Sequence, residues 1–166
     1  RLTLLDEQPM RGKQPLFDLP TSNRDDWVRW AAGFVDGEGC IDIAYRPKSR
    51  THYLRLTVVQ VEKQPLQILQ ALFGGNLREK FMNPKYHPPH HRQAYYWQAA
   101  AQQAIRAISA LRPWLIVKAK EADLAAEFQK GIGRAITRGV SDEERTRRTL
   151  CRERMKALKG RLKPFK

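Results

Sequence analysis

Residues 31–39 read AAGFVDGEG, and they close a helical pattern. Trp27, Trp30 and Phe34 recur at steps of three and four residues, which is the spacing of one apolar helical face. The small residues of the stretch let a second backbone approach closely, because no long side chain holds the two helix axes apart. We therefore predict a helix from about residue 25 to 35, ended by the last two glycines and suited to packing on another helix.

Glu38 stands among these glycines, at the start of an alternating pattern typical of a strand. A carboxylate and a free backbone carbonyl are the hard oxygen ligands that divalent cations such as Mg²⁺ prefer. Glu38 and the carbonyl of Gly37 are therefore candidate metal ligands. One carboxylate in each chain supplies only half of such a site.

The pattern after residue 39 predicts an antiparallel hairpin. Two runs in which apolar and polar residues alternate are joined by a short polar connection at 47–52, so each strand has one apolar and one polar face. The apolar positions are Ile41, Ile43 and Tyr45 in the first run and Leu54, Leu56 and Val58 in the second.

Further elements follow in a regular order. Pro65 opens a second helix that two glycines close, and strand candidates at 76–82 and 92–99 flank a loop rich in Pro and His. Apolar repeats before and after Pro113 indicate two more helices. Ser141, with Glu three residues later, has the spacing of a capping box that begins a last helix. The sequence thus predicts an α+β chain of order αββαββα with extra C-terminal helices.

The charge of the chain points to a polyanionic partner. The 166 residues include 31 Lys and Arg against 17 Asp and Glu, a formal net charge of +14. The excess is greatest in residues 134–166, which we interpret as a basic helical tail after an N-terminal arm at 1–22 and a domain at 23–133. The tail is either a solvated helix or a direct nucleic-acid contact, and the sequence leaves both open.

Several classes of protein are excluded by composition. The chain has no run of about 18 apolar residues, and residues 1–20 lack the apolar segment of a secretory signal. Cys40 and Cys151 give neither a disulfide framework nor metal-ligand spacing. We expect an intracellular protein of the cytoplasm, nucleoid or an organelle matrix, not secreted, with no membrane partner and no small-molecule cofactor.

The stretch at 31–39 resembles the LAGLIDADG motif of homing endonucleases. Gly33, Asp36 and Gly39 match the motif, and Glu38 stands at its metal-binding acidic position. Ala, Gly and Glu replace the leading Leu, the second Ala and the final Asp of the motif. The order of elements also fits, so the resemblance covers roughly residues 23–133.

The resemblance implies the αββαββα LAGLIDADG endonuclease fold, with an antiparallel sheet that forms a saddle over double-stranded DNA. The motif occurs once, and members of the family with one copy are homodimers whose motif helices pack at a twofold axis. Ala32, Gly33 and Asp36 are then expected at the dimer interface, with one Glu38 from each protomer at a shared site. Twofold symmetry favours a long, near-palindromic target.

The resemblance also implies Mg²⁺-dependent hydrolysis of both DNA strands, leaving short 3′ overhangs. Such hydrolysis needs an oriented water and stabilisation of the charge that builds on the phosphate. We expect Glu38 and Gly37 to hold the metal, Gln60 to orient water and Lys118 to stabilise negative charge. Mn²⁺ is expected to substitute for Mg²⁺, and Ca²⁺ to support binding without cleavage.

The polar faces of both hairpins are expected to contact DNA. Arg pairs with guanine, Asp accepts from cytosine and Thr approaches the thymine methyl group in the major groove. The expected contacts are Asp42, Arg46, Lys48, Arg50, Tyr53, Arg55 and Thr57 in the first hairpin, and Arg78, Lys80, Tyr96 and Gln98 in the second. The last two depend on strand parity, because Tyr95 and Trp97 are the alternative groove-facing pair.

A second interpretation keeps the fold without the chemistry. A protein of this kind that does not cleave would be a DNA- or RNA-binding protein, such as an intron maturase or a regulator. The presence of Glu38 and Lys118 favours cleavage, because a pure binding protein has no need of either side chain.

Overall fold

The computed structural model describes residues 23–81, 92–130, 132 and 140–160. The N-terminal arm and the predicted Pro- and His-rich loop lie outside the described residues. Within the described ranges, no helix combines the length and the apolar character needed to cross a membrane.

The predicted order of elements is confirmed, with five α-helices and a four-stranded antiparallel sheet among the described residues. In chain order these are α1 (Arg24–Glu38), β1 (Gly39–Arg46), a 3₁₀ turn (Pro47–Ser49), β2 (Thr51–Gln60), α2 (Gln64–Phe73), β3 (Asn76–Glu79), β4 (Tyr95–Ala100), α3 (Ala101–Leu111), a second 3₁₀ turn (Arg112–Trp114), α4 (Ala119–Lys130) and α5 (Asp142–Leu158).

Helix α1 is longer than predicted. Asn23 caps its start, since the Asn23 side chain accepts from the Asp25 N–H at 3.2 Å. The helix then continues through Gly37 to Glu38, and Gly39 turns into β1 while its N–H still donates to the Val35 carbonyl. A Cβ at Gly39 would lie 2.6 Å from that carbonyl oxygen, so only glycine fits this junction. Our prediction that the helix ends near residue 35 was therefore wrong by about one turn.

The sheet has the strand order β1-β2-β4-β3, and every neighbouring pair is antiparallel. One face packs on the helices and carries the predicted apolar positions of the first hairpin except Tyr45, which is exposed. Trp97 lies fully buried on the same face, with its indole N–H donating to the Gly74 carbonyl at 2.8 Å. The parity of β4 is thereby settled, and Tyr96 and Gln98 lie on the opposite, open face as predicted.

Helix α5 packs on the body of the protein, although the sequence placed it in a basic tail. Cys151 and Met155 are buried in the same hydrophobic core as the sheet. Ser141 caps the helix as predicted, because its hydroxyl oxygen accepts from the Glu144 N–H at 3.3 Å. The Glu144 carboxylate does not complete the capping box; it binds the guanidinium groups of the following turn instead.

The charges of α5 are largely neutralised within the chain. Every Lys and Arg side chain between residues 140 and 160 has a carboxylate oxygen within 3.9 Å. Two of these partners, Glu127 and Asp42, lie outside α5, on α4 and β1. The described part of the predicted tail is therefore a packed helix, not a free cationic arm.

Candidate active site and nucleic-acid interface

Glu38 is the last residue of α1, and its side chain is exposed. Gly37, directly before it, is also exposed, and the space around its Cα is open. The carboxylate of Glu38 therefore stands clear at the junction between α1 and β1. The sequence placed Glu38 just beyond the helix, at the start of the strand, and its role as a metal ligand stays a prediction.

Asp36 connects this end of α1 to the start of α4. Its carboxylate accepts three backbone hydrogen bonds, from the N–H groups of Ile116 (2.6 Å), Val117 (3.1 Å) and Lys118 (3.0 Å). These residues directly precede α4, which begins at Ala119. We call this set of hydrogen bonds the Asp36 clamp.

The clamp also changes the acidity of Asp36. Partial burial by itself raises the pKa of this carboxyl group, but the three N–H donors and the nearby Lys118 charge together lower the pKa below its usual value. Asp36 is therefore engaged as an anion inside its own chain. The sequence placed it at a dimer interface and did not reveal this role.

Lys118, one of the predicted catalytic residues, also lies at this end of α1. Its ammonium group donates to the backbone carbonyl of Asp36, near the C-terminal end of α1. A cation is favourable there, because helix carbonyls without partners carry partial negative charge. Lys118 and Glu38 are thus brought to the same end of α1 from positions far apart in the sequence.

Gln60, the third predicted catalytic residue, is the last residue of β2. Gly39, the first residue of β1, pairs with Val58, so Gln60 extends two residues past the start of β1. Gln60 therefore lies at the end of the sheet that is next to Glu38. It shares the inward parity of Val58 and is half-buried. The structure therefore gathers Glu38, Gln60 and Lys118 at one end of the molecule.

The residues at this junction can supply only half of the ligands that a divalent cation needs. The described residues contain no cluster of three or more His, Cys, Asp or Glu side chains that could hold a metal. Asp36 is already engaged, so Glu38 and the Gly37 carbonyl are the oxygen ligands left at this junction. They could supply half of the ligands, and a metal site shared by two chains stays a prediction.

The open face of the sheet carries most of the predicted DNA contacts. The strand register pairs Asp42 with Arg55 across β1 and β2, and pairs Thr57 with Gln98 and Arg78 with Tyr96 farther across the sheet. The residues that share this face are Asp42, Arg46, Tyr53, Arg55, Thr57, Arg78, Tyr96 and Gln98. Lys48, Arg50 and Lys80 are exposed in the turns and strand ends beside them.

Several side chains of this face are held in place before any ligand binds. The Arg46 guanidinium lies 4.8 Å from the centre of the Tyr53 ring, and Arg55 donates to the Asp42 carboxylate at 2.9 Å. The Asp42 carboxylate is thus occupied, which leaves it less free to accept from a base than we expected. The ammonium group of Lys159, in the turn after α5, lies 3.9 Å from the same Asp42 carboxylate. Nothing in the sequence pattern indicated this contact.

An exposed apolar face surrounds the outer side of α1. It consists of Trp30, Trp114, Ile116 and Val117, of which Ile116 is 85% and Val117 72% exposed, with the half-buried Phe34 beside Trp30. Trp30 stacks on Phe34 with ring centres 5.1 Å apart. Contiguous exposed apolar side chains of this kind mark an interaction surface.

The predicted interface residues divide between two sides of α1. Gly33 is exposed, with open space where a Cβ would stand, so it lies on the outer side. Ala32 is fully buried within its own chain, at 0% exposure. We therefore correct Ala32 to a core position, because it has no surface to offer to a partner.

Comparison with known proteins adds information at the level of the fold. No family model and no curated protein matches the sequence. The homing endonuclease I-CvuI in complex with its target superposes with a TM-score of 0.66 at 20% identity, over 86% of this chain and 85% of that one.

Two further solved structures show the same likeness. The LAGLIDADG homing endonuclease I-GzeII, in complex with a DNA target, has a TM-score of 0.53 at 18% identity, over 93% of this chain and 49% of that one. The group I intron-encoded homing endonuclease I-CeuI, complexed with DNA, has a TM-score of 0.52 at 13% identity, over 69% and 57%. The chain therefore has the fold of the LAGLIDADG homing endonucleases.

Proposed function

We propose that the chain is a sequence-specific DNA endonuclease that hydrolyses both strands of a duplex as a homodimer with Mg²⁺. One observation carries the proposal: exposed Glu38, Gly37 and the clamped Lys118 meet at one end of α1, beside a sheet face lined with cations and hydrogen-bonding side chains. The solved neighbours I-CvuI, I-GzeII and I-CeuI were determined in complex with DNA.

The open sheet face suits duplex DNA. A two-stranded ribbon such as β1–β2 fits the major groove, where base edges present distinct donors and acceptors. Arg46 and Arg55 are already oriented by Tyr53 and Asp42, so less side-chain entropy is lost when they bind. Mixed donors, acceptors and aromatic groups favour sequence readout over uniform attraction to phosphate.

A homodimer completes the metal site. Each chain supplies one exposed Glu38, and the exposed apolar face around α1 gives a second copy a surface on which to pack. Gly33 and Gly37 carry no side chain on the outer side of α1, so two such helices can approach closely. The two Glu38 carboxylates would then meet at the twofold axis.

The resemblance gives each residue its chemical role, and the placement of the residues at one end of the molecule supports that assignment. Mg²⁺, when bound by Glu38 and the Gly37 carbonyl, supplies a positive charge against the reacting phosphate. Gln60 orients a water through its amide group. The Lys118 ammonium group stabilises negative charge on the phosphate oxygens, and the Asp36 clamp holds the Lys118 backbone in place.

Glu38→Gln tests the proposal. The wild type is incubated with a mixed library of duplex DNA in Mg²⁺, and the cut ends are sequenced; we expect one family of specific double-strand breaks. Glu38→Gln should give no breaks but bind the selected DNA in Ca²⁺ with unchanged affinity, because it removes a charge and keeps the shape. Glu143→Gln, an exposed glutamate on α5, is the matched control and should cleave normally.

The same experiment separates the two candidate functions. Specific binding by the wild type without any cut would support a binding protein, such as a maturase or a regulator, and reject the nuclease. Loss of DNA affinity in Glu38→Gln would show that Glu38 supports the structure instead of the chemistry.

A further inference from the structure

Lys159 occupies an unusual position for a lysine of a basic segment. It follows the last turn of α5, and its side chain is only 11% exposed. Its ammonium group donates to the Ile41 carbonyl and lies 3.3 Å from the Cys40 sulfur. Strand β1 is an edge strand, so Lys159 reaches the sheet across its free edge.

Asp42 links Lys159 to the open face of the sheet. One Asp42 carboxylate oxygen accepts from Arg55 at 2.9 Å, and the other lies 3.9 Å from the Lys159 ammonium group. The carboxylate is therefore flanked by two cations. We call these three side chains the Lys159–Asp42–Arg55 cluster.

Arg55 is the member of the cluster that can still meet a ligand. Its guanidinium group has five N–H donors in a fixed plane, and one of its nitrogens is bound to Asp42. About a third of its side chain is exposed, at 36%, compared with 11% for Lys159. A planar donor group held at one edge is well suited to a directional contact with a base.

We propose that Lys159 is a positioning residue for DNA recognition: through Asp42, it holds Arg55 in the orientation that reads a base pair. Asp42 then supports Arg55 and does not itself accept from cytosine. The inference rests on the proposed function of the chain as a sequence-specific DNA-binding protein. It also assigns a purpose to α5, whose packing places Lys159 at the sheet edge.

The alternative of a simple phosphate contact does not fit Lys159. A lysine that meets phosphate keeps its ammonium group in water, whereas this one is buried against a backbone carbonyl and a carboxylate. Lys156 is a suitable comparison, because it lies three residues earlier in the last turn of α5, is 35% exposed and pairs with Glu153 of the same helix. Removal of either lysine changes the net charge equally.

The test uses selection of bound duplexes from a random library in Ca²⁺, with the full chain. Arg55→Ala should lose the preference at one base pair of the selected sequence. Lys159→Met should weaken the preference at that same base pair by about 5-fold or more, the effect of losing one directional contact. Lys159→Met combined with Arg55→Ala should lose nothing further, and Lys159→Arg should restore the wild-type profile.

Lys156→Met serves as the matched control and should keep the wild-type base preferences. A uniform loss of affinity in Lys159→Met, with every preference intact, would overturn the inference, as would a changed preference at a different base pair. Additive effects in the double variant would overturn it as well. Failure of the wild type to select any sequence would instead reject the proposed function, and this inference with it.

Discussion

The carboxylate of Asp36 joins two segments that are 80 residues apart in the sequence. It lies in α1 and accepts hydrogen bonds from the N–H groups of the three residues that directly precede α4. A residue of the most recognisable motif in the chain thus has a structural role distinct from that of Glu38, two positions later. The same contact positions Lys118, whose catalytic role is part of the proposed function.

Asp36→Ala should lower the free energy of unfolding by about 2 kcal/mol, because it removes the acceptor for three N–H groups. Asp36→Asn should lose less, since it keeps one carbonyl oxygen. Urea denaturation of both variants measures the change. Asp26→Ala is the control: Asp26 forms a surface pair with Arg29 in the same helix, worth less than about 1 kcal/mol. Equal effects at the two positions would contradict the clamp.

Glu144 makes the stability of α5 depend on pH. Hydrogen bonds from Arg147 and Arg148 lower the pKa of Glu144 from 4.5 to about 2. Partial burial acts in the opposite direction but is outweighed by these bonds. Because the folded pKa lies below the unfolded one, the stabilisation is complete above pH 4.5 and is lost as the pH falls towards 2.

Glu144→Gln should therefore lower the free energy of unfolding at pH 7 by about 2 kcal/mol, and the difference from wild type should shrink between pH 4.5 and pH 2. Urea denaturation across this pH range measures it. Glu79→Gln, an exposed position on β3, should show no comparable change. A difference that stays constant with pH would show that the arginine pairs do not stabilise α5.

At the level of elements, α5 belongs to the core. Met155 is completely buried, whereas Leu150 on the same helix is 60% exposed. Met155→Ala should lower the free energy of unfolding by about 2–4 kcal/mol, and Leu150→Ala by less than about 1 kcal/mol. Comparable losses in the two variants would mean that α5 is not packed as described.

A chain that ends at residue 133 extends this prediction to the whole helix. The truncation removes Cys151 and Met155 and exposes the apolar surface that they cover. We expect such a chain to lose its cooperative unfolding transition in calorimetry. A truncated chain that unfolds cooperatively at the wild-type temperature would restore the interpretation of residues 134–166 as an independent tail.

The assembly of the whole molecule depends on the exposed apolar face around α1. Val117→Glu places a charge in the proposed interface, at a side chain that is 72% exposed and so contributes little to the fold of one chain. Sedimentation velocity should show a monomer for Val117→Glu and a dimer for the wild type, with cleavage lost in the variant. Leu150→Glu, on the outer surface of α5, should remain dimeric. A dimer that persists in Val117→Glu would exclude this face as the interface.

Local sequence patterns were sufficient to predict most of the helices and strands. The spacing of Trp27, Trp30 and Phe34 predicted α1, and alternation predicted both strands of the first hairpin, because helices and strands bury one face with a fixed period. The exact end of α1 was missed, since a hydrogen bond from Gly39 and the contacts of Asp36 extend the helix beyond its apolar pattern. The parity of β4 required the burial of Trp97 to become clear.

By itself, the sequence determined the order of the elements, the faces of the first hairpin and the place of Glu38 near the junction of the motif helix and the first strand. These features depend on residues that are near each other in the sequence, so the spacing of apolar and polar residues is enough to predict them. Only the tertiary structure decided that Asp36 clamps residues 116–118, that Ala32 lies in the core and that Lys159 reaches Asp42. The contacts of Asp36 with residue 116 and of Lys159 with Ile41 join residues 80 and 118 positions apart, and they arise only when the helices pack on the sheet, which no local pattern encodes.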